Sequence, residues 1–215
     1  MYHFFVEPHQ IGAEEIRIEG ADVNHIRNVL RMKPGEEILI SSREGGDYFC
    51  RVEELEPEYV SAKILEEWEN KELPARIHLF QGLPKGDKME LIIQKAVELG
   101  AYRVVPVSMK RSVVKLDAKK ADAKRKRWNA VSESAAKQSK RSLIPEVAPL
   151  MTYKEAVKEV AGYDMVLLPY ESADGIRKTR ELLASVKPGT DIAVFIGPGT
   201  ADMVVNPRIR QQRAV

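Results

Sequence analysis

The stretch "RIHLFQGLPKGDKMELIIQKAVELGAYRVVPVS", Arg76–Ser108, decides the fold class. It opens on an apolar run that ends at Gly82, passes through a polar loop, and enters thirteen residues with helical periodicity. Met89, Ile92, Ile93, Ala96, Val97 and Leu99 share one broad face, Asp87 with Glu90 makes a capping-box-like start, and Gly100 suits the stop. A second apolar run, "YRVVPVS", follows at once. Strand, helix and strand at this spacing predict a parallel pair with a crossover helix.

Working toward the C-terminus, the same alternation continues. Strands are expected at "PEVAPL", "DMVLLPY" and "DIAVFIG", and helices at Lys119–Ser139, "TYKEAVKEV" and "ADGIRKTRELLASV". Ligands of such sheets bind beyond the carboxyl ends of the strands, where Gly82, Pro169 and Gly197 fall. The loop "IGPGT" lacks the GxGxxG spacing of a dinucleotide site, and no GxxxxGK[ST] phosphate loop occurs.

Toward the N-terminus the rhythm differs. "YHFFV", "EIRI", "EEILIS", "DYFCRVEEL" and "YVSAKILEE" are short apolar segments punctuated by Gly35 and Gly45-Gly46, the signature of a small β-barrel or sandwich. One helix interrupts them: Asp22 is placed to cap "VNHIRNVLRM", with Val23, Ile26, Val29 and Leu30 as its apolar stripe and Arg27 and Arg31 on the exposed side. The chain is expected to divide into a barrel over 1–70, a linker over 71–76 within "WENKELPAR", and an α/β domain over 77–215.

Composition narrows the function classes. The 215 residues are 44% hydrophobic and 31% charged, which reads as globular, and no apolar run is long enough to span a bilayer. "MYHFFVEPHQ" lacks the pattern of a signal peptide, so a cytoplasmic location is expected. A single cysteine, Cys50, excludes an internal disulfide and a Cys-based zinc cluster, and the four histidines show no metal spacing, so no metal is expected. Net charge is only +2, but Lys110–Arg141 is densely basic, and local basic surface is what binds nucleic acid. In "SESAAKQSKR" the helix end carries little apolar bulk, as a close helix contact or a polar pocket requires, and Arg141 there would suit a phosphate.

Taken together, "HFFV", "HIRNVLRMKPGE", "QGLPKGDKMELIIQKAVELGAYRVVPVSMKRSV", "SESAAKQSKRSLIPEV" and "VFIGP" resemble, in order, one family. It is the bacterial 16S ribosomal RNA uridine N3-methyltransferases, the small-subunit methyltransferase E family of the SPOUT superfamily. The resemblance implies a PUA-like β-barrel for RNA, then a SPOUT α/β domain that binds S-adenosylmethionine in a trefoil knot and usually dimerises. It implies a cofactor pocket walled by Leu168, Tyr170, Ile196, Gly197, Pro198 and Gly199. RNA contacts are implied at His25, Arg27, Arg31, Lys33, Arg111, Lys115 and Arg141, with Glu133 and Arg141 as catalytic candidates near the base. The chemistry implied is loss of the uridine N3 proton, with nitrogen and methyl aligned at about 3 to 3.5 Å. The tail departs from the family: where "GPEGG" is the pattern, this chain reads "GPGTADMVVNPRIRQQRAV". An incomplete knot, weakened cofactor binding and a compromised dimer are expected from that departure.

Overall fold

The computed structural model describes residues 1–43, 45–70, 72–109, 116–169 and 181–198. They fall into two compact units. Unit 1 comprises Met1–Leu73, Val97–Gly100 and Ala130–Pro145, and unit 2 comprises Pro74–Ala96, Ala101–Asn129 and Glu146–Val215.

Unit 1 is built on strands β1 (Tyr2–Val6), β2 (Glu15–Glu19), β3 (Glu37–Ser42), β4 (Asp47–Leu55) and β5 (Tyr59–Glu67). They form one mixed sheet in the order β1-β3-β4-β5-β2, with β1 parallel to β3 and every other pair antiparallel. Alternation in "EIRIE" places Ile16 and Ile18 inside, opposite Ala62 and Val60 of β5, and leaves the charged residues outside. Register shifts between Phe49/Cys50 and Val52/Glu54 interrupt the longest pairing, between β4 and β5. Such irregularities bend a strand, and here they accompany a sheet curled around one core of Phe4, Ile16, Ile38, Ile40, Cys50 and Val60 among others. Burial drives the Cys50 thiol up to about 12, as befits a packing residue.

The helix after β2 differs from expectation. It runs as α1 (Ala21–Asn24), continues as a π-turn over His25–Val29, and has Gly20 rather than Asp22 at its cap position. The wider π spacing rotates the face, so Val23 and Ile26 are buried, Leu30 packs on the core, and Val29 is 61% exposed. Arg31 lies beyond the helix end with φ 54°.

Unit 2 carries most of Arg76–Ser108. Its elements are β6 (Arg76–Gly82), α2 (Lys88–Glu98), β7 (Arg103–Ser108), α3 (Ala118–Ser139), β8 (Glu146–Val147), β9 (Met151–Thr152), α4 (Tyr153–Glu159), β10 (Met165–Leu167) and β11 (Asp191–Ile196). The last residues of α2 and α3 group with unit 1. The sheet order is β10-β11-β6-β7-β8, β9 also pairs with β7, and every pairing is parallel. Phe80 and Phe195 stack at 4.7 Å in its core, with Val105, Val107 and Ala193 around them.

On α2 the buried positions are Met89, Ile93 and Val97, spaced by four, while Leu99 is 80% exposed and so leaves the expected face. Glu90 engages Arg127 through a hydrogen bond at 2.9 Å and an ion-pair contact at 2.7 Å, instead of completing a local box as its main contact. Gly100 has φ 95°, the left-handed stop that glycine takes most easily. "PEVAPL" gives only the two-residue β8, because Asn129 supplies both a donor and an acceptor to Val147, each at 3.0 Å, as a neighbouring strand would. Most of the helix expected over "ADGIRKTRELLASV" lies outside the described residues, but 181–184 are helical.

Candidate functional site

In unit 2 the chain passes from β6 to β7 on one side, while the strands from the later sequence, β11 and β10, lie on the other. The switch in strand order therefore falls between β6 and β11, and an open parallel sheet binds ligands beyond the carboxyl ends of such a pair. Those ends are Gln81-Gly82 and Ile196-Gly197-Pro198.

Their packing is specific. Gly82 is buried against the other loop, and a Cβ there would stand 2.9 Å from the backbone nitrogen of Pro198 and 2.9 Å from Met109 Sδ. Only glycine permits that approach. Gln81, an amide following the apolar pair Leu79-Phe80 near the end of β6, is 2% exposed and donates to the carbonyls of Gly82 at 2.9 Å and Gly197 at 3.0 Å. It fixes the direction of both peptide groups. Ile196 is 37% exposed, Gly197 and Pro198 are half-buried, and Leu168 packs on the unit 2 core from the end of β10. Backbone polar groups beside apolar side chains at this edge are the mixture that small-molecule sites use. Of the expected cofactor residues, Leu168, Ile196, Gly197 and Pro198 thus lie at or beyond the carboxyl ends of β10 and β11. Tyr170 and Gly199 lie outside the described residues.

At the opposite, amino end of the same sheet is a polar network that the sequence did not suggest. Arg76 donates to both oxygens of Asp191 at 2.7 and 2.6 Å, His78 Nε2 lies 2.9 Å from Asp191, and Tyr163 lies 3.3 Å from His78 Nδ1. The Arg76 hydrogen bonds hold the Asp191 carboxyl down to about 2. The signal was the pairing of register itself, since Arg76 and Asp191 are direct neighbours on β6 and β11. Its distance from the carboxyl ends makes this network a fastening of the sheet.

The expected RNA contacts divide differently. His25, Arg31 and Lys33 are exposed and Arg27 is half-buried, all within the turn that follows β2 in unit 1. From Val23 to Gly35 the sequence holds no acid, and the side chains of Arg27, Arg31 and Lys33 make no ion pair among the described residues. By contrast Arg17, Arg43, Arg51 and Lys137 in the same unit each meet a carboxylate. Cations without a carboxylate partner leave this segment positively charged at its surface. Arg111 and Lys115 lie outside the described residues.

Arg141 is placed otherwise than a phosphate contact requires. It is 8% exposed, its Nε reaches both Glu72 oxygens at 3.1 Å, its Nη2 also donates to Glu72, and its Nη1 donates to the Val97 carbonyl at 3.1 Å. A phosphate would have to displace Glu72, so this guanidinium is a clamp within unit 1. Glu133, also in unit 1, lies 3.5 Å from Arg43 and 3.3 Å from Lys137. The small residues of the α3 end have a plain use: Ser132, Ala135 and Ala136 are buried, and Ser132 Oγ donates to the Pro145 carbonyl at 2.6 Å.

Among the described residues no group of three His, Cys, Asp or Glu side chains is placed to hold a metal ion, and no helix is long and apolar enough to cross a membrane. His3 is buried beside Ser41 at 2.8 Å, and Ser41 in turn hydrogen-bonds Asp47. Burial first, then Lys137 and Lys140, lower the His3 imidazole to about 4, so it is neutral near pH 7.

Comparison with known proteins agrees with this geometry. A family model described as an RNA methyltransferase domain matches residues 71–199, and one described as an RNA methyltransferase PUA domain matches residues 18–65. The chain is 36% identical over 206 residues to the ribosomal RNA small subunit methyltransferase E of Bacillus subtilis (strain 168), covering 92% of this chain and 80% of that protein. A ribosomal RNA small subunit methyltransferase E from Neisseria gonorrhoeae, solved bound to S-adenosyl methionine, has a TM-score of 0.70 at 28% identity, covering 91% of this chain and 79% of that one. A Legionella pneumophila chain solved in complex with the same cofactor has a TM-score of 0.74 at 26% identity, covering 92% and 80%. A PUA-like domain followed by a SPOUT α/β domain is therefore the architecture here. The expected knot and its incompleteness concern residues after Pro198, outside those described.

Proposed function

The chain belongs to the ribosomal RNA small subunit methyltransferase E family, and from that premise we propose that it methylates N3 of a uridine in 16S ribosomal RNA. It uses S-adenosylmethionine, works on the small subunit in the cytoplasm, and acts as a homodimer. The observation that carries this reading is the close approach of Gly82 to Pro198 at the switch point of the parallel sheet. That approach leaves an edge of peptide groups and apolar side chains at the place where the fold binds ligands.

When bound, the cofactor supplies an electrophilic sulfonium methyl. Leu168, Ile196, Gly197 and Pro198 are proposed to hold it, with Tyr170 and Gly199 completing the wall. Gln81 orients the Gly82 and Gly197 carbonyls that shape that wall. The acceptor is a weak imide acid whose N3 proton passes to solvent as the nitrogen takes the methyl, and the chain assists chiefly by positioning the base. His25, Arg27, Arg31 and Lys33 are proposed to take RNA phosphates, which set register without reading sequence. Glu133, held by Arg43 and Lys137, is assigned a polar contact near the base. Arg141 acts through the fold of unit 1.

The test uses small subunits from a strain that lacks its own enzyme, incubated with the chain and labelled S-adenosylmethionine. Mass spectrometry of digested 16S RNA is expected to find N3-methyluridine at about one per subunit. Label in transfer RNA alone would assign another substrate, and cofactor-independent RNA binding without label would make the chain a binding protein. Light scattering checks the dimer.

A further inference from the structure

Two non-glycine residues among those described have positive φ: Arg31 at 54° and Lys140 at 56°. An L side chain there crowds the following carbonyl, and glycine does not. Both residues stand just past a helix end in unit 1, where glycine is the usual occupant. At the first, Met32 N–H donates to the Ile26 carbonyl at 3.1 Å. At the second, Arg141 N–H donates to the Ala136 carbonyl at 3.0 Å and Lys140 N–H to the Lys137 carbonyl at 3.4 Å, the two bonds of a Schellman stop.

The shared feature is charge. Both are basic and exposed, and neither side chain makes an ion pair among the described residues. The helix dipole does not account for them, because a cation gains that attraction from ordinary backbone within the last turn. Arg27 already occupies the last turn of the first helical segment and Lys137 that of α3. A cation at the left-handed position therefore adds strain without a folding advantage that the chain lacks. Positions of this kind gather where a ligand is bound.

We propose that Arg31 and Lys140 are a matched pair of RNA phosphate contacts, each kept at a helix end where glycine would make unit 1 more stable. Lys140 extends the set of RNA contacts beyond the turn that holds Arg27 and Lys33, and the proposal rests on the reading that unit 1 binds ribosomal RNA. The ligand class is the phosphodiester backbone, so the contribution is independent of sequence and strongly dependent on salt.

The experiment compares Arg31→Gly, Lys140→Gly, Arg31→Lys, Arg27→Ala and Lys33→Ala in the full chain. Urea unfolding is measured first, then binding of a fluorescent in vitro transcript of 16S RNA across a potassium chloride series. Each glycine variant is expected to fold with an equilibrium constant roughly two- to five-fold higher. It should bind the transcript about three- to ten-fold more weakly, with the log–log salt slope reduced by about one. Arg31→Lys retains both affinity and strain. If Arg27→Ala and Lys33→Ala weaken binding while either glycine variant leaves affinity and slope unchanged, the paired role is overturned and the RNA-binding reading stands. If none of these five variants changes binding, the RNA-binding reading of unit 1 fails and takes the proposal with it. A glycine variant that loses stability shows that the cation serves the fold, which also overturns the proposal.

Discussion

Replacing Arg141 by methionine removes the positive half of a buried ion pair and keeps the aliphatic bulk. Glu72, whose side chain is 14% exposed, then retains the Ser142 N–H at 2.9 Å but loses the guanidinium that met both its oxygens. The Val97 carbonyl loses its Nη1 donor as well. Stranding one charge of a buried pair costs about 3 to 5 kcal/mol, mostly the desolvation of the partner left behind. With a urea dependence of about 2 kcal/mol per molar, a 4 kcal/mol loss moves the unfolding midpoint down by about 2 M. The double variant Glu72→Met with Arg141→Met strands neither charge, so it is expected to recover most of the loss, giving a coupling of about 3 kcal/mol. Urea unfolding followed by circular dichroism, on the wild type, both single variants and the double, measures the cycle. Binding of 16S RNA by Arg141→Met, under conditions where it remains folded, should keep the wild-type salt slope. A cost below about 1 kcal/mol together with a reduced salt slope would refute the clamp and return Arg141 to the phosphate contacts.

Other perturbations follow from the same geometry. His3 is neutral when folded and titrates near its ordinary value of 6.5 when unfolded, so its contribution is complete above about pH 6.5 and declines as pH falls toward about 4. The loss is on the order of 3 kcal/mol, and His3→Gln, which has no proton to gain, should flatten that part of the stability profile in pH-dependent urea melts. Gly82→Ala drives a methyl into the Pro198 backbone, at a cost of about 1 to 3 kcal/mol by calorimetry, and should weaken S-adenosylmethionine in isothermal titration by more than ten-fold. Wild-type affinity in that variant would separate the Gly82–Pro198 contact from the cofactor site. Asn129→Ala strands the Val147 N–H, while the Val147 carbonyl keeps its Arg125 Nε donor at 3.2 Å, an expected cost of about 1 to 3 kcal/mol, with faster amide exchange at Val147 as the local reading.

Much of this protein was legible one residue at a time. The periodicity of "DKMELIIQKAVEL", the alternation of "EIRIE" and the glycine stops report short-range constraints, namely a helix face, a strand face and a left-handed turn. Each is set by neighbours within a few positions, so the sequence alone determined the two kinds of domain, the order of their elements and, by resemblance, the family. It also pointed to the strand ends as the ligand side, because Gly82 and Gly197 end apolar runs.

Tertiary structure decided what depends on residues far apart in the chain. The approach of Gly82 to Pro198 joins segments more than a hundred residues apart, and no local pattern says which glycine faces which loop. Arg141 looked free in "KQSKR" because its partner Glu72 lies 69 residues away, and whether a cation meets a carboxylate or a phosphate is settled by folding. Val29 fitted an ideal helical stripe, and only the π-turn put it outside. Local sequence specifies what backbone each segment prefers, while burial and charge pairing are properties of the whole packed chain, and those two decide which side chains remain for a ligand.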